Sequence, residues 1–447
     1  MQIIRSKRIN DLLLHPALLA LPVAVMIILL LPDAFDKYTI TPISEKLIAE
    51  RCNMEYHDLN HDGISERLDA NDNGLKGAGV AIYYGDVPYC QWDFDGYYFN
   101  GDFKCLVTDA DTNGIDEIYA FTYKGDSLLL NAFDYRFKQN FTIQNKVLLK
   151  LPASPRDTVS MIDDRGFATF GCADLTGDGC DELIFQFSAG YMLSPRKIFA
   201  YDIQQDSLFA SPELGGHFWI TQLKDIDDDG KAEFAVTNYG PGNMTDTSGP
   251  MPDNAAYVIA LDHNLQFLFK PIANKGTYCS ARNEFIRING RFCVLSIWGF
   301  NADLLKAPEL KLYSLNGTLQ QSLQLGDQYK GINFSVMQVP PDADNPSIVL
   351  LPSTYQAFAL NYNLEPVQLS FPDGTLTLPM PDPTFDFDGD GEKEILLETG
   401  TPGNFIVCRN NLSHPVSFLI NNRTNDFVLI YPVLINGESP RFCLQSG

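Results

Sequence analysis

The sequence has few basic residues, and it lacks the cysteine and histidine motifs that mark common metal and redox proteins. Its 447 residues include 32 Lys and Arg against 56 Asp and Glu, which gives a formal net charge of −24. Lys and Arg neutralise nucleic-acid phosphates, so this charge excludes a nucleic-acid partner. The nine Cys form no Cys-x-x-Cys pair and no His-Glu-x-x-His segment occurs. These absences argue against a zinc ribbon, a redox dithiol and a metalloprotease helix.

Motifs of nucleophilic and phosphate chemistry are also missing. No Gly-x-Ser-x-Gly elbow occurs, no Gly-rich phosphate loop opens a helix, and the six His residues are scattered. Acidic residues are so numerous that no catalytic pair of carboxylates stands out. We therefore expect a protein that is not an enzyme. A polysaccharide lyase or hydrolase is the alternative, and a purely structural scaffold is the third hypothesis.

The amino-terminal 32 residues have the pattern of a membrane anchor. A basic segment, residues 1–11, precedes residues 12–32, which are almost wholly apolar. An apolar helix of about 20 residues is long enough to cross the core of a bilayer. We therefore predict an uncleaved transmembrane helix, with a cleaved signal peptide as the alternative. The basic flank stays in the cytoplasm. The rest of the chain, after a stalk at 33–50, is then expected on the periplasmic or cell-surface side of a single-pass membrane protein.

One nine-residue pattern occurs five times in the rest of the chain. Each copy has oxygen-bearing side chains at positions 1, 3 and 5, Gly at position 6 and Glu at position 9. The copies are residues 58–66, 109–117, 174–182, 225–233 and 386–394. Alternate residues of a tight loop can direct their oxygens at one hard cation, and Gly permits the sharp turn. The pattern therefore predicts calcium at up to five structural sites.

An EF-hand is the obvious rival for these loops, and it does not fit. An EF-hand needs a bidentate Glu at position 12 and helices on both sides. Here the last acid is at position 9, and apolar, strand-like runs follow. We therefore expect each loop to join two β-strands. Acidic turns that hold no ion are the remaining alternative.

A second repeat supports an all-β fold. Aromatic content is 12%, with 33 Gly and 27 Pro, a composition that favours strands and turns over helices. Apolar runs around a polar turn indicate hairpins at 80–94, 128–141, 198–210, 257–269, 310–323, 355–369 and 405–419. The first four loops start at residues 58, 109, 174 and 225, and repeats of about this spacing are typical of propeller blades. We predict a seven-bladed β-propeller over residues 51–425, with residues 426–447 as closing strands or a truncated link.

The loop followed by an apolar strand resembles the FG-GAP/VCBS repeat of integrin-α-type β-propellers. The resemblance covers roughly residues 50–420, and it implies that side chains at positions 1, 3, 5 and 9 hold calcium. The implied ligands are Asp58, Asn60, Asp62, Glu66, Asp109, Asp111, Asn113, Glu117, Asp174, Thr176, Asp178, Glu182, Asp225, Asp227, Asp229, Glu233, Asp386, Asp388, Asp390 and Glu394. An anchor followed by such a domain is also similar to the ectodomain of bacterial sensors of the histidine-kinase type, although no kinase segment is present.

Recognition is expected on the face opposite the loops, where long connectors precede the hairpins. Long loops and exposed aromatic residues on a rigid scaffold are typical binding elements. The candidates are Tyr191, Tyr239, Trp298 and Phe300. Packing of Trp298 and Phe300 between blades is the alternative. The sequence thus predicts a sensory or adhesive domain for an unknown protein or glycan ligand.

Overall fold

The computed structural model of the chain describes most of the residues after 52. The described ranges are 53–72, 78–98, 105–138, 140–151, 165–189, 194–242, 251–276, 278–300, 306–339, 347–368, 375–377, 384–386, 393–399, 404–409, 412, 415–419, 428–433 and 441–446. The predicted membrane segment at 12–32 lies outside them. Within the described ranges, no helix combines the length and the apolar character needed to cross a bilayer.

The first three sheets are separate four-stranded antiparallel meanders. The first contains β1 (Asn53–His57), β2 (Glu66–Asp72), β3 (Ala78–Tyr84) and β4 (Val87–Asp93). The second contains β5 (Cys105–Thr108), β6 (Glu117–Lys124), β7 (Ser127–Phe133) and β8 (Ile143–Lys150), with a 3-10 turn at Tyr135–Phe137. The third contains β9 (Gly166–Ala173), β10 (Glu182–Ser188), β11 (Arg196–Asp202) and β12 (Ser207–Ala210).

The next eight strands form one continuous sheet, a half-barrel. Its strands are β13 (His217–Lys224), β14 (Glu233–Gly240), β15 (Ala255–Leu261), β16 (Ile272–Lys275), β17 (Cys279–Ile288), β18 (Arg291–Phe300), β19 (Glu309–Ser314) and β20 (Leu319–Gln324). A 3-10 turn at Asp327–Tyr329 follows.

Two further blades and a hairpin complete the described chain. The first blade contains β21 (Phe334–Gln338), β22 (Ile348–Pro352), β23 (Phe358–Leu360) and β24 (Pro366–Val367). The second contains β25 (Leu376–Thr377), β26 (Thr384–Phe385), β27 (Glu394–Thr399), β28 (Asn404–Arg409) and β29 (Val416–Leu419). The hairpin contains β30 (Val428–Val433) and β31 (Arg441–Ser446), and β30 lies near β1.

The fold is therefore all-β and propeller-like, with five separate blades and a half-barrel. The prediction of seven separate blades is wrong. An antiparallel strand pair begins at each predicted hairpin, but at 128–141 and 257–269 the second strand starts beyond the predicted bounds. The blades are not all separate because of β14. Its residues Phe234 to Val236 pair with β15, and its residues Asn238 to Gly240 pair with β17. One strand thus joins what would have been two blades.

Buried polar groups hold this junction together. The Asn283 side chain is fully buried, and its Nδ2 donates to the carbonyls of Val236 at 2.7 Å and Tyr257 at 3.0 Å. The Asn238 amide accepts the Tyr257 N–H through Oδ1 at 3.1 Å. A buried carbonyl without a donor is costly, so these amides fix the pairing that apolar packing alone would leave open.

Apolar cores fill the spaces between consecutive sheets. One core joins the β1–β4 and β5–β8 sheets, where Trp92 stacks on Phe133 with ring centroids 4.2 Å apart. The next joins the β5–β8 and β9–β12 sheets around Phe121 and Phe185. The β9–β12 sheet lies between two such cores and is buried on both faces, so its second strand β10 begins with the unbroken apolar run Leu183 to Phe185.

Candidate metal centres

The predicted loops connect the first strand of a sheet to its second. In the four loops that are described throughout, position 1 directly follows the first strand and the Glu at position 9 begins the second. The four strand pairs are β1 and β2, β5 and β6, β9 and β10, and β13 and β14. The prediction that each loop joins two β-strands is therefore confirmed for these four.

The four loops share one backbone geometry. The Gly at position 6 donates its N–H to Oδ2 of the Asp at position 1, at 2.9, 2.7, 2.8 and 2.9 Å in chain order. These glycines have φ between +84° and +87°, the left-handed region in which a side chain is unfavourable. The side chain at position 5 accepts the N–H of position 7 in each loop. The sequence repeat is thus a repeat of structure.

The Glu at position 9 is buried in every copy. Glu66, Glu117, Glu182 and Glu233 are at most 3% exposed. In three of the loops Oε2 accepts the N–H of position 2, from Leu59 at 2.9 Å, Leu175 at 2.6 Å and Ile226 at 3.1 Å. Glu117 instead accepts from Asn113 Nδ2 at 3.1 Å and from the Tyr119 hydroxyl at 3.3 Å. Each of these four sheets therefore carries a buried carboxylate where the loop meets its second strand.

Burial makes these carboxylates hard to ionise. Burial is the main cause that raises the pKa of Glu66, of Glu117 and of Glu182 from the ordinary 4.5 to about 7, and nearby loop aspartates raise it further. Burial likewise raises the pKa of Glu233. A bound divalent cation would reverse this effect, because it favours the charged form of its ligands.

Carboxylate oxygens converge in two of the four loops. The candidate oxygens of Asp109, Asp111 and Glu117 lie within 4.8 Å of one another, as do those of Asp225, Asp227 and Asp229. Two further oxygens are buried without a hydrogen-bond partner, Oε1 of Glu66 and Oγ1 of Thr176. Unsatisfied buried oxygens are rare and costly. Oxygen-rich loops with such atoms fit a hard cation like calcium.

The fifth loop is described only in part. Asp386 and Glu394 are described, and Glu394 begins β27 and is fully buried, as its counterparts are. Asp388 and Asp390 lie outside the described residues. The first and last positions of this loop thus occupy the expected places between strands.

Sequence reasoning missed the side chains that approach the loops from the turn between the third and fourth strands. Nδ1 of His263, between β15 and β16, lies 3.6 Å from Oε1 of Glu233. In the second sheet Nη2 of Arg136 lies 3.5 Å from Oδ1 of Asn113. These residues are 30 and 23 positions away from their partners in the sequence. A comparison of the hairpin turns across the repeats could have found them, because those turns lie on the loop face.

A cavity of about 170 Å³ opens at the other ends of β9, β10 and β13, away from the loops. Its lining residues are Gly166, Phe167, Gln186, Phe187, Ser188, His217 and Phe218. Burial, with Arg196 nearby, lowers the pKa of His217. The neighbouring Trp219 is 43% exposed.

The predicted ligand-binding residues have different outcomes. Tyr239 stacks on His217 with centroids 6.3 Å apart, at the edge of the cavity. Trp298 is half-buried, and Nζ of Lys311 lies 3.4 Å from its ring centroid, so one face of the indole is covered. Strand register places Tyr239 and Trp298 at one end of the fused sheet but on opposite faces. Phe300 ends β18, and Tyr191 lies outside the described residues.

Comparisons with known proteins assign no family to the chain. No protein-family profile matches the chain, and no curated protein matches it. The FG-GAP/VCBS and sensor similarities therefore remain resemblances. Among solved structures, BBS1N in complex with ARL6DN, soaked with lead, matches with a TM-score of 0.34 and 10% identity, over 83% of this chain and 92% of that chain. The mercury-soaked crystal gives 0.35 and 9% over the same shares. The V. cholerae biofilm matrix protein Bap1 gives a TM-score of 0.32 and 13% identity, over 87% of this chain and 83% of that chain.

Proposed function

We propose that this chain is a membrane-anchored recognition propeller whose blades are held by calcium. The observation that carries the proposal is the buried Glu at position 9, which recurs with the same loop geometry in the first strand connection of four successive sheets. Four buried carboxylates facing clusters of aspartates are unfavourable without a cation. Bound calcium would allow them to ionise and would fix the turn between two strands.

A structural role for the cations fits their placement better than a catalytic role. The loops belong to four different sheets, and each offers its own set of oxygens. Metal catalysis needs an open coordination position and a cavity for a substrate, whereas the described cavity lies at the opposite ends of the strands. We therefore propose binding rather than catalysis as the activity.

The cavity at the non-loop face is the proposed recognition site. Three phenylalanines give it apolar walls, and Gln186, Ser188 and His217 supply polar groups. Pockets that combine apolar walls with a few polar groups are typical ligand sites. The exposed indole of Trp219 on β13 adds a surface that can stack on a sugar or an aromatic side chain. A glycan or a protein segment is the proposed ligand.

The membrane anchor and the extracytoplasmic location complete the proposal. They depend on the apolar segment at 12–32 and its basic flank. A topology reporter fused at residue 40 would test them. A reporter found in the cytoplasm would contradict the proposed orientation.

Calcium dependence is tested by thermal unfolding of the full chain in detergent, with calcium and after exhaustive chelation. A ligand at a hundred times its Kd stabilises by about 2.7 kcal/mol per site, so several sites together should raise the Tm by about 5–10 °C. An unchanged Tm would contradict the calcium proposal. Glycan and peptide arrays probed with the full chain, beside His217→Ala and Trp219→Ala, test recognition. Phe209→Ala is the matched control, because Phe209 is exposed on the outer strand β12.

A further inference from the structure

Among the four fully described loops, the one at 225–233 has a histidine beside its position-9 Glu. His263 lies in the turn between β15 and β16, and its Nδ1 faces Oε1 of Glu233 at 3.6 Å. That separation exceeds hydrogen-bond length. It is close to the spacing of about 3.3 Å between two ligands that bind one tetrahedral zinc ion at about 2.0 Å.

Two carboxylates and one imidazole converge here. One candidate ligand atom each from Asp229, Glu233 and His263 lies within 4.8 Å of the other two. Glu233 is 2% exposed, and its orientation is fixed because Oε2 accepts the N–H of Ile226 at 3.1 Å. Its other oxygen, Oε1, therefore points at the imidazole. His263 is half-buried and Asp229 is exposed, which leaves a path for an ion from solvent.

Hydrogen bonds and one buried side chain fix the conformation of the turn that carries His263. Oδ1 of Asp262 accepts the N–H groups of Asn264 at 2.9 Å and Gln266 at 2.8 Å. Leu265 is fully buried in the core between β9–β12 and the half-barrel. The position of the imidazole is thus set by the turn rather than by the ion.

The corresponding turns of the neighbouring sheets offer no such donor. The second sheet places Arg136 beside its loop, and a guanidinium does not bind metals. In the half-barrel, Asp262 and then His263 follow β15. In the third sheet the corresponding Asp is Asp202, at the end of β11, and the next residue is Ile203, which is not a metal donor. Imidazole nitrogen suits zinc, copper, iron and nickel, whereas carboxylate and carbonyl oxygens suit calcium and magnesium.

We propose that Asp229, Glu233 and His263 form a transition-metal site of the zinc type, distinct in metal preference from the oxygen-only loops. Asp225 and Asp227 lie close to Asp229 and supply further oxygens. The inference rests on the proposed cation loops for its setting. It does not need calcium to bind at any of them.

The test titrates metal-free full chain with zinc in the presence of excess calcium, using a fluorescent zinc indicator as competitor. His263→Gln should weaken zinc binding by at least about 10-fold, the lower range for losing a group that supports a metal site. Asp229→Asn, at an exposed position, should weaken it as well. Asn264→Ala is the matched control, since Asn264 is exposed in the same turn as His263 and is not a proposed donor; zinc affinity should be unchanged.

Cobalt provides a readout that separates this site from the cysteines. Cobalt bound by the proposed donors should show visible bands of nitrogen and oxygen coordination, without thiolate charge-transfer bands, and His263→Gln should remove them. Unchanged zinc affinity in both His263→Gln and Asp229→Asn would overturn the inference and leave a plain His–Glu ion pair. His263-dependent zinc binding in a chain that calcium does not stabilise would support this site while refuting the calcium proposal.

Discussion

Metal-free protein should lose stability as the pH rises through neutrality, because of the buried Glu side chains. Glu66, Glu117 and Glu182 have folded-state pKa values of about 7, raised by burial from 4.5. A group with a raised folded pKa contributes stability that is fully present below its unfolded pKa and is lost as the pH rises through its folded pKa. The free energy of unfolding of the metal-free protein should therefore fall from about pH 4.5 upward and level off above about pH 7.

The size of the effect follows from the shift. A change of about 2.5 pKa units corresponds to roughly 3 kcal/mol for each side chain that stays in place. Opening of a loop to water limits the loss, so about 3 kcal/mol per Glu is an upper bound. Calcium should abolish the pH dependence, because a bound divalent cation keeps these carboxylates ionised at lower pH.

Urea denaturation of the full chain at several pH values between about 5.5 and 8.5, with and without calcium, measures this dependence. Glu66→Gln should make the pH slope of the metal-free protein shallower, since it removes one of the four loop Glu residues whose pKa is raised by burial. Glu365→Gln, at an exposed turn position, should leave the slope unchanged. A metal-free stability that rises or stays constant from about pH 5.5 to 8.5 would refute this account of the loops.

Three further substitutions test the fold. Asn283→Ala should lower the free energy of unfolding by about 2–3 kcal/mol, because the carbonyls of Val236 and Tyr257 lose a buried donor. Urea denaturation measures this change, with the exposed Asn363→Ala as control. A change as small as that of the control would mean that the junction does not need the Asn283 amide. Trp92→Ala should cost about 3–5 kcal/mol through the cavity it leaves against Phe133, and calorimetry showing less than about 1 kcal/mol would contradict this packing. Gly63→Ala should lower the free energy of unfolding by about 1 kcal/mol because φ is +84° at Gly63. Gly171→Ala, where an added Cβ meets nothing within 4 Å, should lower it less. Equal losses would argue against a left-handed turn in the loop.

The loops were predictable because their information is local. Nine consecutive residues place position 1 after one strand and position 9 at the start of the next, and the structure has both where the pattern predicts them. The hairpins were predictable for the same reason, since a polar turn between apolar runs specifies its own pairing.

The fused sheet and the histidine depend on contacts between distant residues. Nothing in the sequence around Asn238 shows that it pairs with Ala281 rather than with β15. Likewise His263 reads as an ordinary turn residue until the fold brings it to Glu233. Trp298 was a reasonable aromatic candidate, yet strand register and Lys311 decide which of its surfaces is available.

Counting bound calcium tests the central claim most directly. Native mass spectrometry of the full chain, equilibrated with calcium and then freed of excess ion, should show several calcium ions per chain and at most one for each of the five loops. Glu66→Gln and Glu182→Gln should each remove one ion, and Glu365→Gln should remove none. A chain that carries no calcium under these conditions, or a count that none of the loop substitutions changes, would contradict the account.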